Sequence, residues 1–421
     1  MAEAHVDTRR LFTRTLALVP ILVAVGGCGP TAPPGSEPLA SAVIGQPSAS
    51  PVLGIDWTRA ASVERPVNFA EDPNSADYTG THPILRIPGQ AMMVDVVGLP
   101  AGGFAAVGYL PPDWVPAAWT SPDGNTWSIH AMDTTDFTFP VAMAAGDDGT
   151  VVAVGRLGQK PAAWTTVDGV AWHRHAVPVH QGSGVAERMT TVLATHGGFL
   201  AGGSVGPELF ERHARFWTSP DGIDWEAVAD DPVAFANAEV RAITTFNHGF
   251  VAVGVVGAAQ EPSGAVAWTS ADGLTWTRVD DPSFVDGIAV AVVAAPFGGS
   301  VAVGSDLGRG EAVAWTSADG SRWTRAPSEA SRDHTGFVWM TDLAAIGDSV
   351  IAIGVYQGLQ RGTATSWVSR DGIHWDRANT APVQEQGEFY AITPGGPGAI
   401  VVGSFGAPDS YVPNVWLSPG R

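Results

Sequence analysis

Short apolar runs, bounded by Gly and Pro, recur along this chain at a regular spacing. In the first unit they are AMMVDVVGL from Ala91 and GGFAAVGYL from Gly102, followed by AAWTS and NTWSIH. The second run returns in later units as TVVAVG, GFLAGG, GFVAVG, SVAVG, SVIAIG and AIVVG. Short runs rich in β-branched residues, without any long stretch of helical period, predict an all-β chain.

A tryptophan starts a nearly identical phrase in every unit. The complete copies read WTSPDGNTW, WTTVDGVAW, WTSPDGIDW, WTSADGLTW, WTSADGSRW and WVSRDGIHW. They recur about every 50 residues, a period that fits one four-stranded blade of a β-propeller. The Asp-Gly pair predicts a turn between the third and fourth strands of a blade. Asp bonds backbone N–H groups two residues on, and Gly accepts a positive φ.

The seventh copy of the phrase is divided between the two ends of the chain. WLSPG begins at Trp416, and the missing second half appears as GIDWTRA around Trp57. This division predicts a ring, closed by pairing of the Trp57 strand with the Trp416 strand, because closure removes exposed sheet edges. We therefore predict an all-β, seven-bladed β-propeller of four-stranded blades over residues 54–421. It forms one domain, since each blade buries its faces against its neighbours.

The pattern S/T-x-D-G-x-x-W resembles the Asp-box, or BNR repeat, of sialidases and related β-propellers. Here Gly follows Asp directly, as in the shortened boxes of bacterial propellers without assigned chemistry. The resemblance implies that the box lies at the rim of each blade, away from any site, and that its residues are structural. These residues are Asp123, Asp168, Asp221, Asp272, Asp319, Asp371, Trp127, Trp172, Trp225, Trp276, Trp323 and Trp375.

The charge balance is acidic. The chain holds 22 Lys and Arg against 42 Asp and Glu, a formal net charge of −20. A protein that binds nucleic acid needs a basic face, so nucleic acid is excluded as the main partner. The sequence contains no G-x-S-x-G elbow, H-E-x-x-H pair, phosphate loop or Cys and His pairs at metal spacing. We expect neither a cofactor nor a metal.

Residues 1–28 read as an export signal rather than as part of the fold. Arg9 and Arg10 stand in a segment that resembles the twin-arginine motif, which implies export of an already folded protein. The apolar run from Leu16 to Val25 is too short for an ordinary membrane span. The general secretory route remains the alternative for export.

The signal ends in Val-Gly-Gly-Cys, which resembles a bacterial lipobox. Cys28 is the only cysteine of the chain, so no internal disulfide can form. We expect Cys28 to carry the lipid that anchors the protein to the outer face of the cell membrane. Residues 29–53 are rich in Pro, Ser and Ala and are expected to form a disordered tether.

A ligand is expected on the face opposite the Asp-Gly turns, where loops after the second and fourth strands differ in length and composition. Variable loops that carry Arg, Tyr and Trp on a rigid scaffold are typical of binding sites. The candidate ligand-face residues are Trp114, Arg156, Arg212, Arg309, Arg332, Tyr356 and Arg361.

Three residues are candidates for catalysis. The segment Leu-Arg-Ile-Pro around Arg86 resembles the motif that supplies one arginine of the sialidase carboxylate-binding triad. Glu388 and Tyr390 lie two apart in the first strand of the last blade and can share a face. A sialidase-like glycoside hydrolase would need such a pair together with an arginine cluster and an acid.

The residues favour a binding module over an enzyme. We predict a monomeric propeller outside the membrane that binds a glycan, a peptide or a partner protein. Two alternatives stay open: a sialidase-like glycoside hydrolase and an assembly factor for another exported protein.

Replacing Cys28 by Ala is expected to move the protein from the membrane fraction to the soluble fraction, because the tether holds nothing else apolar enough to anchor it. Fractionation with immunodetection measures this change. An unmodified, unprocessed N-terminus in the intact mass of the wild type would contradict the expected anchor.

Overall fold

The computed structural model describes residues 57–64, 91–110, 115–132, 138–179, 185–207, 212–258, 261–327, 337–357, 362–377, 387–395, 398–405 and 412–418. Within these ranges the regular structure is β-strand, apart from one 3₁₀ turn at Pro282–Phe284. No helix in these ranges is long and apolar enough to cross a membrane. Some predicted residues and segments lie outside the described residues: Arg9, Arg10, Cys28, Arg86, Trp114, Arg332, Arg361 and residues 1–28 and 29–53.

Seven sheets follow one another along the chain, one for each repeat unit. Blades 1 to 3 consist of the following strands, from the first to the fourth of each blade. They are β3 Met92–Gly98, β4 Phe104–Leu110, β5 Val115–Ser121 and β6 Thr126–Ala131; β7 Thr138–Ala145, β8 Val151–Leu157, β9 Lys160–Thr166 and β10 His173–Ala176; and β11 Ala186–Thr195, β12 Gly198–Gly206, β13 His213–Ser219 and β14 Glu226–Ala227.

Blades 4 to 7 repeat this order, with strand pairs that are antiparallel throughout. Their strands are β15 Ala238–Phe246, β16 Gly249–Ala258, β17 Glu261–Ser270 and β18 Thr277–Val279; β19 Gly287–Ala294, β20 Ser300–Asp306, β21 Ala312–Ser317 and β22 Thr324–Arg325; β23 Phe337–Ile346, β24 Ser349–Gln357, β25 Gly362–Ser369 and β26 Asp376–Arg377; and β27 Gly387–Gly395, β28 Gly398–Phe405, β29 Val412–Ser418 and β1 Thr58–Arg59. The predicted seven-bladed propeller is confirmed.

The N-terminal segment closes the ring and extends beyond it. Strand β1 pairs with β29, so that Thr58 lies opposite Leu417 and Arg59 opposite Trp416. This is the predicted closure. The chain then crosses to blade 1, where β2 (Ser62–Val63) pairs in parallel with β6 and gives this blade a fifth strand that the repeat did not predict.

Three blades are joined by the short segment of residues 57–64. The Trp57 indole donates to the Ser366 hydroxyl of blade 6 at 3.0 Å. On blade 1, the Trp119 indole donates to the Glu64 carbonyl at 3.2 Å. The segment therefore acts as a strap across the seam of the ring.

The first strands of the blades line the middle of the ring. Each contacts the first strand of the next blade, and β27 contacts β3 to complete the circle. The apolar core is divided into seven clusters, each shared by two neighbouring blades. One leading tryptophan lies in every cluster and is at most 1% exposed: Trp119, Trp164, Trp217, Trp268, Trp315, Trp367 and Trp416.

The Asp-Gly turn has the same hydrogen bonds in each of its six complete copies. In blade 4 the Asp272 carboxylate accepts from the Leu274 and Thr275 backbone N–H groups, both at 2.8 Å. These bonds hold the pKa of Asp272 below its usual range. Gly273 has φ +76°, and its carbonyl accepts from the Trp276 indole at 3.0 Å. The Asp carboxylate is thus engaged within its own turn.

Deleting residues 54–64 should lower the free energy of unfolding by more than the roughly 3–5 kcal/mol lost when one buried tryptophan becomes alanine. The deletion removes Trp57, β1 and β2 and exposes the edge of β29. Thermal and denaturant unfolding measure the loss. Deleting residues 40–50, an equal length ahead of the propeller, is the control and should leave unfolding unchanged. Equal melting temperatures for the two deletion variants would contradict the role of the strap.

Candidate functional site

Every blade has a β-bulge in its first strand. The pairing between first and second strands shifts by one residue at the same place in all seven blades. A bulge bends a strand and redirects its side chains. The extra residues are Val94, Val141, Thr190, Arg241, Val290, Thr341 and Tyr390.

The last glycine of each second-strand run makes room for this bulge. A Cβ atom on Gly254 would lie 2.0 Å from the Glu239 carbonyl oxygen. Gly108 and its other counterparts meet the first strand in the same way, at 1.8 to 2.0 Å. The recurring glycine at the end of runs such as GFVAVG is therefore required by backbone contact.

Seven residues, each two positions before a bulge, form what we name the mouth ring. They lie near the end at which the chain enters each first strand, opposite the end that carries the Asp-Gly turns. They are Met92, Phe139, Arg188, Glu239, Ile288, Trp339 and Glu388. The leading tryptophan is the same in every blade, whereas these seven positions hold six residue types. The repeat thus diverges at the mouth of the central channel.

An arginine cluster surrounds Glu239 between blades 3 and 4. Arg188 donates to Glu239 Oε2 at 2.6 Å, and Arg212 donates to the same oxygen. Arg241, the bulge residue, lies 3.2 Å from Oε1, and the Ser204 hydroxyl lies 3.3 Å from Oε2. Burial alone would raise the pKa of Glu239, but the Arg241 and Arg188 guanidiniums outweigh it and hold this pKa below its usual range. Glu239 is therefore a charged carboxylate.

A small cleft of about 10 Å³, roughly the space of one water molecule, adjoins the cluster and is lined by Arg156, Gln159, Arg188 and Arg212 among others. The Arg156 guanidinium lies over the Phe139 ring, 4.9 Å from its centroid. The cleft and the cluster together contain four arginines and two glutamates: Arg156, Arg188, Arg212, Arg241, Glu187 and Glu239. Their formal charge is +2, whereas the net charge of the chain is −20. An anionic group of a ligand is the chemical match for this surface.

Glu388 and Tyr390 meet on blade 7. The Tyr390 hydroxyl donates to Glu388 Oε2 at 2.6 Å and lies 3.1 Å from the hydroxyl of the buried Ser404. Tyr390 is the bulge residue of its blade and lies two positions after Glu388. The structure thus joins the two residues that the sequence singled out as a pair.

Two aspartates occupy the position directly after the bulge, Asp95 in blade 1 and Asp342 in blade 6. Each carboxylate accepts a backbone N–H from the next blade, Met143 at 2.6 Å and Ile392 at 2.9 Å. Burial, and then repulsion by Asp342, raises the pKa of Asp95 to about 8. Burial raises the pKa of Asp342 to about 7.

The predicted ligand-face residues fall in different places. Arg156 and Arg212 line the same cleft. Arg309 lies on blade 5 beside the ion pair of Arg325 with Asp306. Tyr356 packs at the interface of blades 5 and 6. In the part of the chain that the structure describes, no group of three or more His, Cys, Asp or Glu side chains is placed to hold a metal ion.

Sequence reasoning missed the most charged part of the site. Arg188, Glu239 and Arg241 carry no motif, and neither do Asp95 and Asp342. Aligning the units on the glycine that ends each second-strand run would have placed these residues around the channel.

The comparisons with solved structures concern the fold. No protein-family model matches the sequence, and no similar sequence is found among curated proteins. Ycf48, solved with a bound D1 peptide, has a TM-score of 0.51 and 16% identity over 80% of this chain and 94% of that protein. The chain shares the propeller fold of Ycf48.

Two further structures are similar at lower scores. A Trypanosoma rangeli sialidase in complex with sialic acid has a TM-score of 0.45 and 13% identity, covering 69% of this chain and 55% of the sialidase. A protein from Lactobacillus plantarum has a TM-score of 0.48 and 10% identity, covering 79% of this chain and 97% of that protein. Identities this low establish no shared activity.

The stability of the protein should fall as the pH rises from about 5 to 9. The folded-state pKa values of Asp95 and Asp342 lie above those of an unfolded chain, near 4, so the folded state binds more protons in this window. Asp342→Asn should flatten the fall, because it removes one titrating group and the repulsion on Asp95. Melting curves at a series of pH values measure the slope, with the exposed Asp348→Asn as control. Parallel curves for wild type and Asp342→Asn would contradict the expectation.

Proposed function

We propose that this protein is an exported, membrane-anchored binding module whose ligand is a peptide segment of a partner protein, bound across the mouth ring. The divergence of the mouth ring within an otherwise repeated fold carries the proposal. Residues that serve the fold are alike in every blade, as the leading tryptophans are. Four mouth-ring residues are part-exposed and differ from one another, so they are able to contact a ligand: Arg188, Ile288, Trp339 and Glu388.

The arginine cluster supplies the chemistry for an acidic group of such a peptide. Guanidiniums bind carboxylates through charge-assisted, often bidentate hydrogen bonds. Arg241 keeps 41% of its side chain exposed, and Arg156 lines the small cleft beside the cluster. A peptide carboxylate that approaches the cluster from the surface would meet Arg241 beside the charge already balanced by Glu239.

A peptide rather than a free sugar is preferred because Ycf48, which shares this fold over 80% of this chain and 94% of its own, was solved with a peptide. Assembly of another exported protein is a role in which such binding would be used. The anchor belongs to the proposal too: a lipid on Cys28 would keep the site outside the membrane while the tether of residues 29–53 gives it reach.

A sialidase-like hydrolase is the second candidate, and the Tyr390–Glu388 hydrogen bond favours it. That chemistry uses a carboxylate-assisted tyrosine, an arginine cluster for the substrate carboxylate and an acid. Here Glu239 already occupies the space between the guanidiniums of Arg188, Arg212 and Arg241. A substrate carboxylate would have to displace it, which favours binding over hydrolysis.

A photo-crosslinking amino acid in place of the exposed cleft residue Gln159 should capture a defined partner segment in cells. Arg241→Ala in the same protein should reduce the adduct about tenfold, because a charge-assisted hydrogen bond contributes roughly 1.5–3 kcal/mol. Gel analysis and mass spectrometry of the adduct measure the yield.

In the control protein, the photo-crosslinking amino acid replaces Arg370, an exposed arginine at the Asp-Gly end of blade 6. Arg370→Ala, the same change of charge, should leave the adduct from position 159 unchanged. Equal adducts from both positions, or no effect of Arg241→Ala, would refute a ligand at the mouth ring.

The purified protein should release no fluorophore from a fluorogenic sialoside. Hydrolysis needs a free arginine cluster, and this one is filled by Glu239. The assay is run on the wild type, on Glu239→Gln and on Tyr390→Phe. Turnover above the buffer rate that Tyr390→Phe abolishes would establish the hydrolase in place of the binding module.

A further inference from the structure

One pair of neighbouring positions in the mouth ring is filled in two different ways. In blades 3 and 4 it holds Arg188 and Glu239, whose side chains form an ion pair at 2.6 Å. In blades 6 and 7 the same two positions hold Trp339 and Glu388. The chain therefore contains its own example of a cation bound at this pair of positions.

The backbone around the two pairs is equivalent. Arg188 and Trp339 each lie two residues before the bulge of their blade, and so do Glu239 and Glu388. The second-strand glycine packs on the carbonyl of Glu239 and on that of Glu388 at the same 2.0 Å. Trp339 thus occupies the position equivalent to Arg188, and Glu388 occupies the position equivalent to Glu239.

The Glu388 carboxylate is held by a neutral neighbour. Its hydrogen bond from Tyr390 at 2.6 Å fixes the carboxylate without cancelling its charge. Among the described residues, no Lys, Arg or His side chain forms an ion pair with Glu388. The residue is part-exposed at the channel mouth, so a cation from outside can approach it.

Trp339 adds a surface suited to the same cation. Its side chain is also part-exposed, and it precedes Glu388 around the ring. A cation over an indole face is attracted by the negative centre of the ring, and tryptophan is the strongest aromatic partner for it. An indole face and a carboxylate are the two protein groups to which a guanidinium or an ammonium binds best.

We propose that Trp339 and Glu388 form a subsite for a basic side chain of the ligand, an arginine guanidinium or a lysine ammonium; this rests on the proposed peptide-binding function. The subsite lies three blades from the arginine cluster around Glu239. A peptide that crosses the mouth with its basic residue on blades 6 and 7 places its acidic residue toward blades 3 and 4. The two sites together would fix the direction of the bound chain.

Small probes test the subsite directly. The protein is labelled with 5-fluorotryptophan, and Trp339→Phe assigns the Trp339 resonance in the ¹⁹F NMR spectrum. Nα-acetyl-arginine methylamide and Nα-acetyl-lysine methylamide should shift this resonance with a Kd on the order of millimolar. Nα-acetyl-norleucine methylamide, which has a similar stem without charge, should not shift it. Glu388→Gln should weaken the binding of both cationic probes at least about tenfold.

Glu226→Gln on the outer strand of blade 3 is the matched control and should leave the probe Kd unchanged. Unchanged resonances of the other tryptophans show that Glu388→Gln is folded. Equal binding of the norleucine probe, or an unchanged Kd in Glu388→Gln, would overturn the proposal. Binding that appears only after Arg361→Ala would overturn it as well, because an arginine of the chain would then fill the subsite. The probes contain no partner sequence, so their result is independent of the crosslinking test of the function.

Discussion

Burial of the leading tryptophan between each pair of neighbouring blades is the interaction on which this fold depends. A four-stranded sheet has two apolar faces and cannot bury either alone, so each blade is stable only against its neighbours. The leading tryptophan lies in the shared cluster of every interface and is among the largest fully buried side chains of the described residues. Because seven such contacts must close on themselves, the strap at residues 57–64 is as necessary as any blade.

The same packing requirement in every blade explains why the sequence of the candidate site differs between blades while the rest of the repeat does not. The leading tryptophan recurs in all seven blades because it satisfies the same packing, and the Asp-Gly turn recurs in six because it satisfies the same backbone donors. The bulge adds one residue per blade that has no partner on the second strand, and its role differs from blade to blade. Thr190 and Thr341 donate to backbone carbonyls of the next blade, whereas Arg241 is exposed. Arg241 and Tyr390 are both bulge residues, and each is joined to a carboxylate of its mouth ring, Glu239 and Glu388. The proposed binding site thus lies where the sequence differs most between blades.

The sequence predicted the architecture because its signals are local and repeated. Trp, Asp and Gly at fixed spacing specify a hairpin, and the divided copy at Trp57 and Trp416 specifies closure. The site was predicted only in part: Glu388 with Tyr390 was proposed from spacing, and Arg156 with Arg212 from loop position. Glu239 was missed because its partners Arg188, Arg212 and Arg241 come from separate strands and from two blades. The parallel strand β2 was missed because it belongs to no repeat.

The pairing of β1 with β29 also sets the order in which the molecule can be completed. Thr58 leaves the ribosome long before Leu417, its partner. Blades 1 to 6 can assemble one after another during synthesis, since each needs only the blade before it. The strap must wait until the last strand has been made, so closure is the final step and requires the ends of a loop of more than 350 residues to meet. Premature release or truncation of the nascent chain would therefore leave a nearly full ring with one open seam.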